Sequence, residues 1–304
     1  MRKIWIDTDP GFDDLVTLVV ASRAEALELT GIGVVAGNAP LVRTLHNTLT
    51  IADAFEIHAP IYAGCDRALL RSNTTAEDVL GAGAFGTIGA KLPEPTRIIS
   101  SGHAVLQLIE TVLENPNQIT LIAIGPLTNI ALAMRLEPKI AGLFQEIILM
   151  GGSTDRGNQT AAAEFNFYAD PEAASIVFQS GAKITMFGLN LTRQVLLTEN
   201  HLARVRESKA VHALALADMT AHYLQIRANK IMPLHDPVTV VYLLRPDLFT
   251  FDPAYVQIET SGIHSLGASI CEFRVPKKAS ANAFVATKAD GEAVMELILG
   301  ALTQ

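Results

Sequence analysis

Asp7-Thr8-Asp9-Pro10-Gly11-Phe12-Asp13-Asp14 stands between the apolar run Ile4-Trp5-Ile6 and the apolar stretch from Leu15 to Ala21. Apolar runs on both sides predict a buried strand leading into a buried helix, so the carboxylates fall where a strand ends and a helix begins. Strand alternation puts Asp7 and Asp9 on one side of the strand end, and Pro10-Gly11 turns the chain into the helix that Asp13 and Asp14 open. All four acids are then expected to converge on one point. Like charges held together raise one another's pKa and destabilise the site unless a cation or fixed dipoles offset them, and the helix N-terminus supplies part of that offset. Oxygen donors without neighbouring cysteine or histidine suit calcium or magnesium rather than zinc. A plainer reading makes Asp13 or Asp14 a helix cap and leaves Asp7 and Asp9 on the surface. It gives no reason for Asp7 and Asp9 to follow so apolar a strand.

The same arrangement recurs along the chain. Leu29 to Val35 reads as a second strand ending at Gly37-Asn38, ahead of a helical pattern from Leu41, and Ile61-Tyr62-Ala63 as a short third. A helix is expected over Ala104 to Glu114. Gln118 to Ile124 is a continuous apolar strand that runs into Gly125-Pro126-Leu127-Thr128-Asn129. Glu146 to Met150 is followed by Gly151-Gly152 and a polar loop carrying Asn158, Glu164 and Asn166, before a helix that starts near Asp170-Pro171; Ile184 to Leu189 ends at Asn190. Strands alternating with helices predict an α/β fold with an open, mostly parallel, Rossmann-like sheet and helices on both faces. Ligands of such sheets bind outside the carboxyl ends of the strands. Asp7, Asp9, Asn38, the Ile124 backbone, Met150 and Asn190 all fall at those ends.

Two further stretches bear on the site. From Asp66 to Pro95 the periodicity is weak and Gly81, Gly83, Gly86 and Gly89 cluster, which fits a mobile lid or a plain surface loop. After a helical pattern from Glu199 to Asn229 comes Leu234-His235-Asp236-Pro237, directly before the apolar Val238 to Leu244. Alone, Asp236 reads as a helix cap and His235 as a half-buried histidine; beside four carboxylates they become candidates for the site. Tyr255 to Glu259, Ser269 to Phe273 and Ala283 to Ala286 are expected as edge strands, and Glu292 to Leu302 as a closing helix. No linker interrupts the pattern, so residues 1–304 read as one domain.

Composition narrows the function. With 304 residues, 49% hydrophobic and 18% charged, the chain can bury a large core and carries no disordered tract. A formal net charge of -8 without a Lys/Arg-rich run argues against nucleic acid or an anionic membrane as partner. The apolar run after Arg2-Lys3 is cut by Asp7, too early for a signal peptide, and Ile119 to Met134 is interrupted by Gly125, Pro126, Thr128 and Asn129. A cytoplasmic protein is expected, with Cys65 and Cys271 as reduced thiols.

The Asp7 to Asp14 stretch closely resembles the N-terminal signature of the nucleoside hydrolases, which cleave the N-glycosidic bond of nucleosides using calcium. Val35-Ala36-Gly37-Asn38, Ile124 to Ala131, Met150-Gly151-Gly152, Gly157-Asn158, Glu164-Phe165-Asn166, Asp170-Pro171-Glu172 and His235-Asp236-Pro237 recur in that family's order. The resemblance implies calcium held by Asp9, Asp14, Asp236 and the Ile124 carbonyl, with Asp7 supporting that shell. It implies Asp9 as the general base toward a metal-bound water, and Asp13, Asn38, Met150, Asn158, Glu164 and Asn166 around the ribose. It places His235 near the departing base as a second catalytic residue. Leu80, Tyr223, Arg227 and His235 are the candidates for the base pocket. A homodimer or homotetramer is implied as well. One departure is Leu80-Gly81, where relatives often carry His-Gly; another is the short stretch from His222 to Pro233. Both leave purine or pyrimidine preference open.

Two other functions fit part of the pattern. A magnesium-dependent phosphotransferase of the haloacid dehalogenase type would use Asp7-Thr8-Asp9 with Asp7 as nucleophile, but leaves Asn38, Asn158, Glu164, Asn166 and His235-Asp236 without a role. A non-catalytic ribose or nucleoside binder would keep the sugar contacts and lose the chemistry.

Overall fold

Ile4 and Ile6 of strand β1 (Arg2–Thr8) face one hydrophobic core and Trp5 faces a second, as expected of a strand buried on both sides. β1 pairs in parallel with β2 (Leu27–Val34) on one side and β4 (Ile119–Ala123) on the other. The computed structural model describes residues 1–274 and 281–304. Its other strands are β3 (Ile61–Ala63), β5 (Glu146–Met150), β6 (Ile184–Phe187), β7 (Leu196–Leu197), β8 (Met232–Pro233), β9 (Phe249–Ile258), β10 (Ser269–Glu272) and β11 (Ala283–Ala289). Among the described residues nine of these form one sheet in the order β10-β9-β11-β6-β5-β4-β1-β2-β3, while β7 and β8 make a small separate ribbon. All neighbours from β11 to β3 are parallel, and β9 runs antiparallel to both β11 and β10.

That order positions the site. From β1 the chain steps outward to β2 and β3, then returns to the far side of β1 as β4 and moves away through β5 and β6. The strand order therefore reverses between β1 and β4, and a crevice opens there at the carboxyl ends. The Asp7 to Asp14 turn and the Ile124-Gly125-Pro126 turn border it.

Helices cover both faces. α1 (Phe12–Arg23), α2 (Leu41–Ala54), α10 (Ala213–Gln225), α11 (Pro237–Leu244) and α12 (Gly291–Leu302) pack on the Ile4–Ile6 side. α4 (Ala104–Glu114), α5 (Thr128–Leu136) and α7 (Pro171–Phe178) pack on the Trp5 side. The remaining helices are α3 (Glu77–Leu80), α6 (Phe165–Ala169), α8 (Leu189–Thr192) and α9 (Glu199–Glu207). Among the described residues no helix is long and apolar enough to cross a membrane.

Several boundaries differ from the sequence reading. The helical pattern from Glu199 to Asn229 is two helices, because Ser208 Oγ accepts the Ala210 N–H and His212 takes a left-handed φ of 63° that a helix interior does not accommodate. The fifth strand stops at Phe187; Gly188 caps α8, so Leu189 and Asn190 lie in a helical turn. β9 begins at Phe249, not Tyr255, since Pro253 is accommodated opposite Phe284. β11 is no edge strand but sits between β6 and β9. The Asp66 to Pro95 stretch contains α3 and a 3-10 turn at Ala82–Ala84, where Gly81 and Gly83 take φ values of 88° and 72°.

Candidate active site

The Asp-rich turn is held by its own polar groups. Asp14 occupies the third position of α1 and reaches back to the Gly11 N–H at 3.0 Å, while its other oxygen accepts the Thr8 hydroxyl at 2.5 Å. The capping reading of Asp14 is thus half right. Its prediction that Asp7 and Asp9 are on the surface is not, for they are 1% and 0% exposed.

Asp7 and Asp9 do not share a side. β1 ends at Thr8, so the two-residue period no longer governs Asp9. Asp7 points toward α5, where its Oδ2 accepts from Asn129 Nδ2 at 3.0 Å, and Gly33 leaves it room: a Cβ there would lie 2.4 Å from that oxygen. Burial lifts its pKa to about 7, opposed by the Asn129 bond. No neighbouring carboxylate contributes to that rise. Asp7 stands behind the site, and neither it nor Asp9 lines the open pocket.

The other acids do meet. Asp9 Oδ2 accepts the Asn38 backbone N–H at 2.6 Å, and Oδ1 is buried with no hydrogen-bond partner. Burial, then the Asp14 charge, push the Asp9 pKa well above the ordinary carboxylate range. Asp13 Oδ2 accepts the His235 N–H at 2.9 Å, which ties the entrance of α1 to that of α11; its Oδ1 is also without a partner. Burial raises Asp13 to about 7. Asp236 occupies the cap position of α11, yet its side chain makes no capping bond and lines the pocket instead. Burial and the charges of Asp14, Asp13 and Asp9 raise its pKa well above normal.

Sugar-side candidates border the same pocket. Asn166 Nδ2 donates to the carbonyls of Ile124 and Met150, both at 3.0 Å, spanning the ends of β4 and β5. A flipped amide would set oxygen against oxygen, so the partners fix its orientation. Glu164 caps α6: its oxygens accept from the backbone N–H groups of Gly152, Asn166 and Phe167 at 2.8–3.1 Å, and burial lifts it to about 7. Asn158 Oδ1 accepts the Phe165 N–H at 2.9 Å, leaving its amide nitrogen for the pocket. Asn38 Nδ2 reaches the Asp9 carbonyl at 3.2 Å and Asp14 at 3.4 Å. Asn190 is not part of this site; its amide joins Ala286 and Thr154.

The donor set suits a hard cation. Two buried carboxylate oxygens, one each on Asp9 and Asp13, lack hydrogen-bond partners, an uncapped Asp236 faces the pocket, and burial, with mutual repulsion second, raises the pKa of Asp9 and Asp236. Among the described residues, however, no three His, Cys, Asp or Glu side chains stand close enough together to hold a metal ion. The Ile124 carbonyl, which keeps a lone pair beyond its bond to Asn166, borders the same pocket.

A family model described as inosine-uridine preferring nucleoside hydrolase matches residues 4–296. The chain belongs to that family. The inosine-uridine preferring nucleoside hydrolase of Crithidia fasciculata is 39% identical over 307 residues, covering 99% of this chain and 97% of the relative. The pyrimidine-specific ribonucleoside hydrolase RihB of Escherichia coli is 37% identical over 275 residues, covering 89% and 87%. A solved purine-preferring ribonucleoside hydrolase from Gardnerella vaginalis superposes with a TM-score of 0.92 at 28% identity, over 99% of this chain and 98% of that one.

The remaining wall of this nucleoside hydrolase pocket comes from α3, α10 and the entrance of α11. Leu80, Tyr223, Arg227 and His235 all line it, as do Val79, Gln159 and Met232. Tyr223 packs on Phe12 with ring centroids 4.9 Å apart. His235 Nδ1 is 2.7 Å from the Thr192 hydroxyl, and burial, with Arg193 and Arg227 nearby, pushes its pKa down to about 4. The ring is neutral at neutral pH. Asp7, with its Oδ2 bonded to Asn129 inside the protein, is not held as the nucleophile that the phosphotransferase reading needs. Sequence reasoning missed Thr192 and Asn47, which sit in helical patterns without a local signal. Asn129 lies in the Gly125 to Asn129 turn, but its partner is 122 residues away.

Proposed function

We propose that this chain hydrolyses the N-glycosidic bond of ribonucleosides to ribose and free base, with calcium as cofactor. The observation that carries the reading is Asp9, fixed at one oxygen by the Asn38 N–H and buried without a partner at the other. A carboxylate so held, with its pKa raised by burial and by Asp14, is a stronger proton acceptor than a surface aspartate.

Asp9, Asp14, Asp236 and the Ile124 carbonyl would hold the ion, with Asp7 supporting from behind. Calcium, when bound, supplies the charge that offsets these carboxylates, and it acidifies water and orients hydroxyls. Asp9 takes the proton of the attacking water. Asp13, Asn38, Asn158, Glu164, Asn166 and the Met150 carbonyl hold the sugar hydroxyls. As the C–N bond breaks, positive charge grows on the ribose, and anions and dipoles already fixed around it stabilise that charge without reorganising. In the tautomer whose Nδ1 accepts the Thr192 hydroxyl, neutral His235 offers the leaving base a hydrogen bond from Nε2, not a proton. Leu80, Tyr223 and Arg227 flank that base. A homodimer or homotetramer belongs to the same reading, and light scattering after size exclusion tests it.

The deciding experiment is a reducing-sugar assay on inosine, adenosine, uridine and cytidine, with and without a chelator and with calcium restored. Calcium-dependent ribose release is expected. Binding of nucleoside without release from any of the four would replace the enzyme with a nucleoside-binding protein.

A further inference from the structure

The Leu80 to Ala90 segment is bridged between two parts of the fold. On one side Asn47 Nδ2 donates to the carbonyls of Gly83 at 2.9 Å and Pro10 at 2.7 Å, joining the segment to the Asp-rich turn. On the other side lies α10. Asp218 Oδ2 accepts the Ala90 N–H at 2.8 Å, and the Asp218 carbonyl accepts the Ile88 N–H at 3.4 Å. One turn further along the same helix face, His222 Nε2 stands 3.4 Å from the Leu80 carbonyl. Gly86 lies flat against that ring: a Cβ on it would come within 2.1 Å of Nε2. Gly89 meets Asp218 in the same way, at 2.7 Å. Neither His222 nor Asp218 lines the pocket, whereas Val79, Leu80 and Tyr223 do.

We propose that His222 and Asp218 are positioning residues that dock the Leu80–Ala90 segment on α10 and so set the Val79–Leu80 wall at the base end of the pocket. The inference rests on the nucleoside hydrolase reading for the identity of what fills that pocket. Its physical basis is population. If the wall is docked only part of the time, apparent affinity falls by the docked fraction, while the bound complex, in which the wall is docked, reacts at the normal rate. The effect belongs to KM and not to kcat. Ribose alone, held by the opposite wall, should not sense it.

The test compares His222→Ala, Asp218→Ala and Gly86→Ala with Asp218→Asn, which keeps an acceptor for the Ala90 N–H. Expected in the three alanine variants are an increase in nucleoside KM of about tenfold, kcat essentially unchanged, an unchanged inhibition constant for ribose, and faster amide exchange confined to Leu80–Ala90. Asp218→Asn should restore both KM and exchange. Unchanged exchange in the alanine variants overturns the proposal; so does faster exchange with an unchanged KM, or a ribose constant that rises with KM. If the wild type releases no ribose, the hydrolase reading falls by itself. Positioning is then decided by whether added nucleoside slows exchange at Leu80–Ala90 in the wild type and less so in His222→Ala.

Discussion

Asn129 and Asp7, 122 residues apart in the chain, meet at 3.0 Å inside the protein behind the acidic pocket. The same Asn129 side chain accepts the Cys65 N–H at 2.8 Å, so one amide joins the ends of β1 and β3 to the start of α5. Replacing it with alanine leaves a buried carboxylate and a buried N–H without their partner. Each such orphan costs about 1–3 kcal/mol. Asn129→Ala is therefore expected to lose about 3 kcal/mol in urea unfolding, with the midpoint falling and the slope unchanged. A loss under half a kcal/mol, about the noise level for a surface substitution, would show that water replaces the amide.

Asp9→Asn keeps the shape and the Asn38 contact but removes the proton acceptor. Turnover should fall by about 10²–10⁴, the usual contribution of a positioned general base, while circular dichroism and thermal unfolding show an intact fold. Near-wild-type ribose release from this variant would sink the general-base assignment.

Gly37 touches the same carboxylate from the outside: a Cβ there would come within 2.0 Å of Asp9 Oδ2 and 2.7 Å of the Pro126 ring. Neither neighbour is the free end of a flexible side chain, so Gly37→Ala must move Asp9. Overpacking of this kind costs about 1–3 kcal/mol, and a displacement near 1 Å can cost about 10²-fold in rate. Steady-state kinetics should show the loss in kcat. Full activity would mean that Asp9 tolerates displacement and is not the base.

The strand ends were legible because each is a local event: an apolar run stops, a glycine or proline turns the chain, and the polar residues that follow must lie at a rim. Asp9, Asn38, Ile124 and Met150 were placed in that way, and Asn38, Ile124 and Met150 line one pocket with Asp14, Glu164 and Asp236, which were read from a helix start, a polar loop and a second helix entrance; Asn190, placed by the same rule, lies elsewhere. Asp7 was misplaced because alternation was carried one residue past the end of β1. Partners such as Asn129 for Asp7, Thr192 for His235 and His222 for Leu80 were invisible for another reason. They depend on which strands and helices become neighbours, and helical spacing alone does not distinguish a residue that docks a distant segment from one that faces water.

Protons and cations should compete for the acidic pocket. Burial raises Asp7, Asp13 and Glu164 to about 7 each, against about 4 for carboxylates in an unfolded chain. Between those values the folded state binds more protons than the unfolded one, so unfolding free energy decreases as pH rises and levels off above the folded pKa. The contribution of these groups is thus most favourable below the unfolded value and is lost as pH climbs through about 7. Metal-free protein should accordingly lose stability from about pH 5 to about pH 8. A cation that binds the ionised carboxylates acts in the opposite sense, since it must displace protons to bind and stabilises by mass action. Calcium at about a hundred times its dissociation constant adds about 2.7 kcal/mol, and its effect on Tm should be large at about pH 8 and small at about pH 5. Differential scanning calorimetry of chelator-treated protein at both pH values, with and without calcium, measures this directly. A calcium shift equal at the two pH values would place the ion away from these carboxylates, and no shift at either would remove calcium from the proposed mechanism.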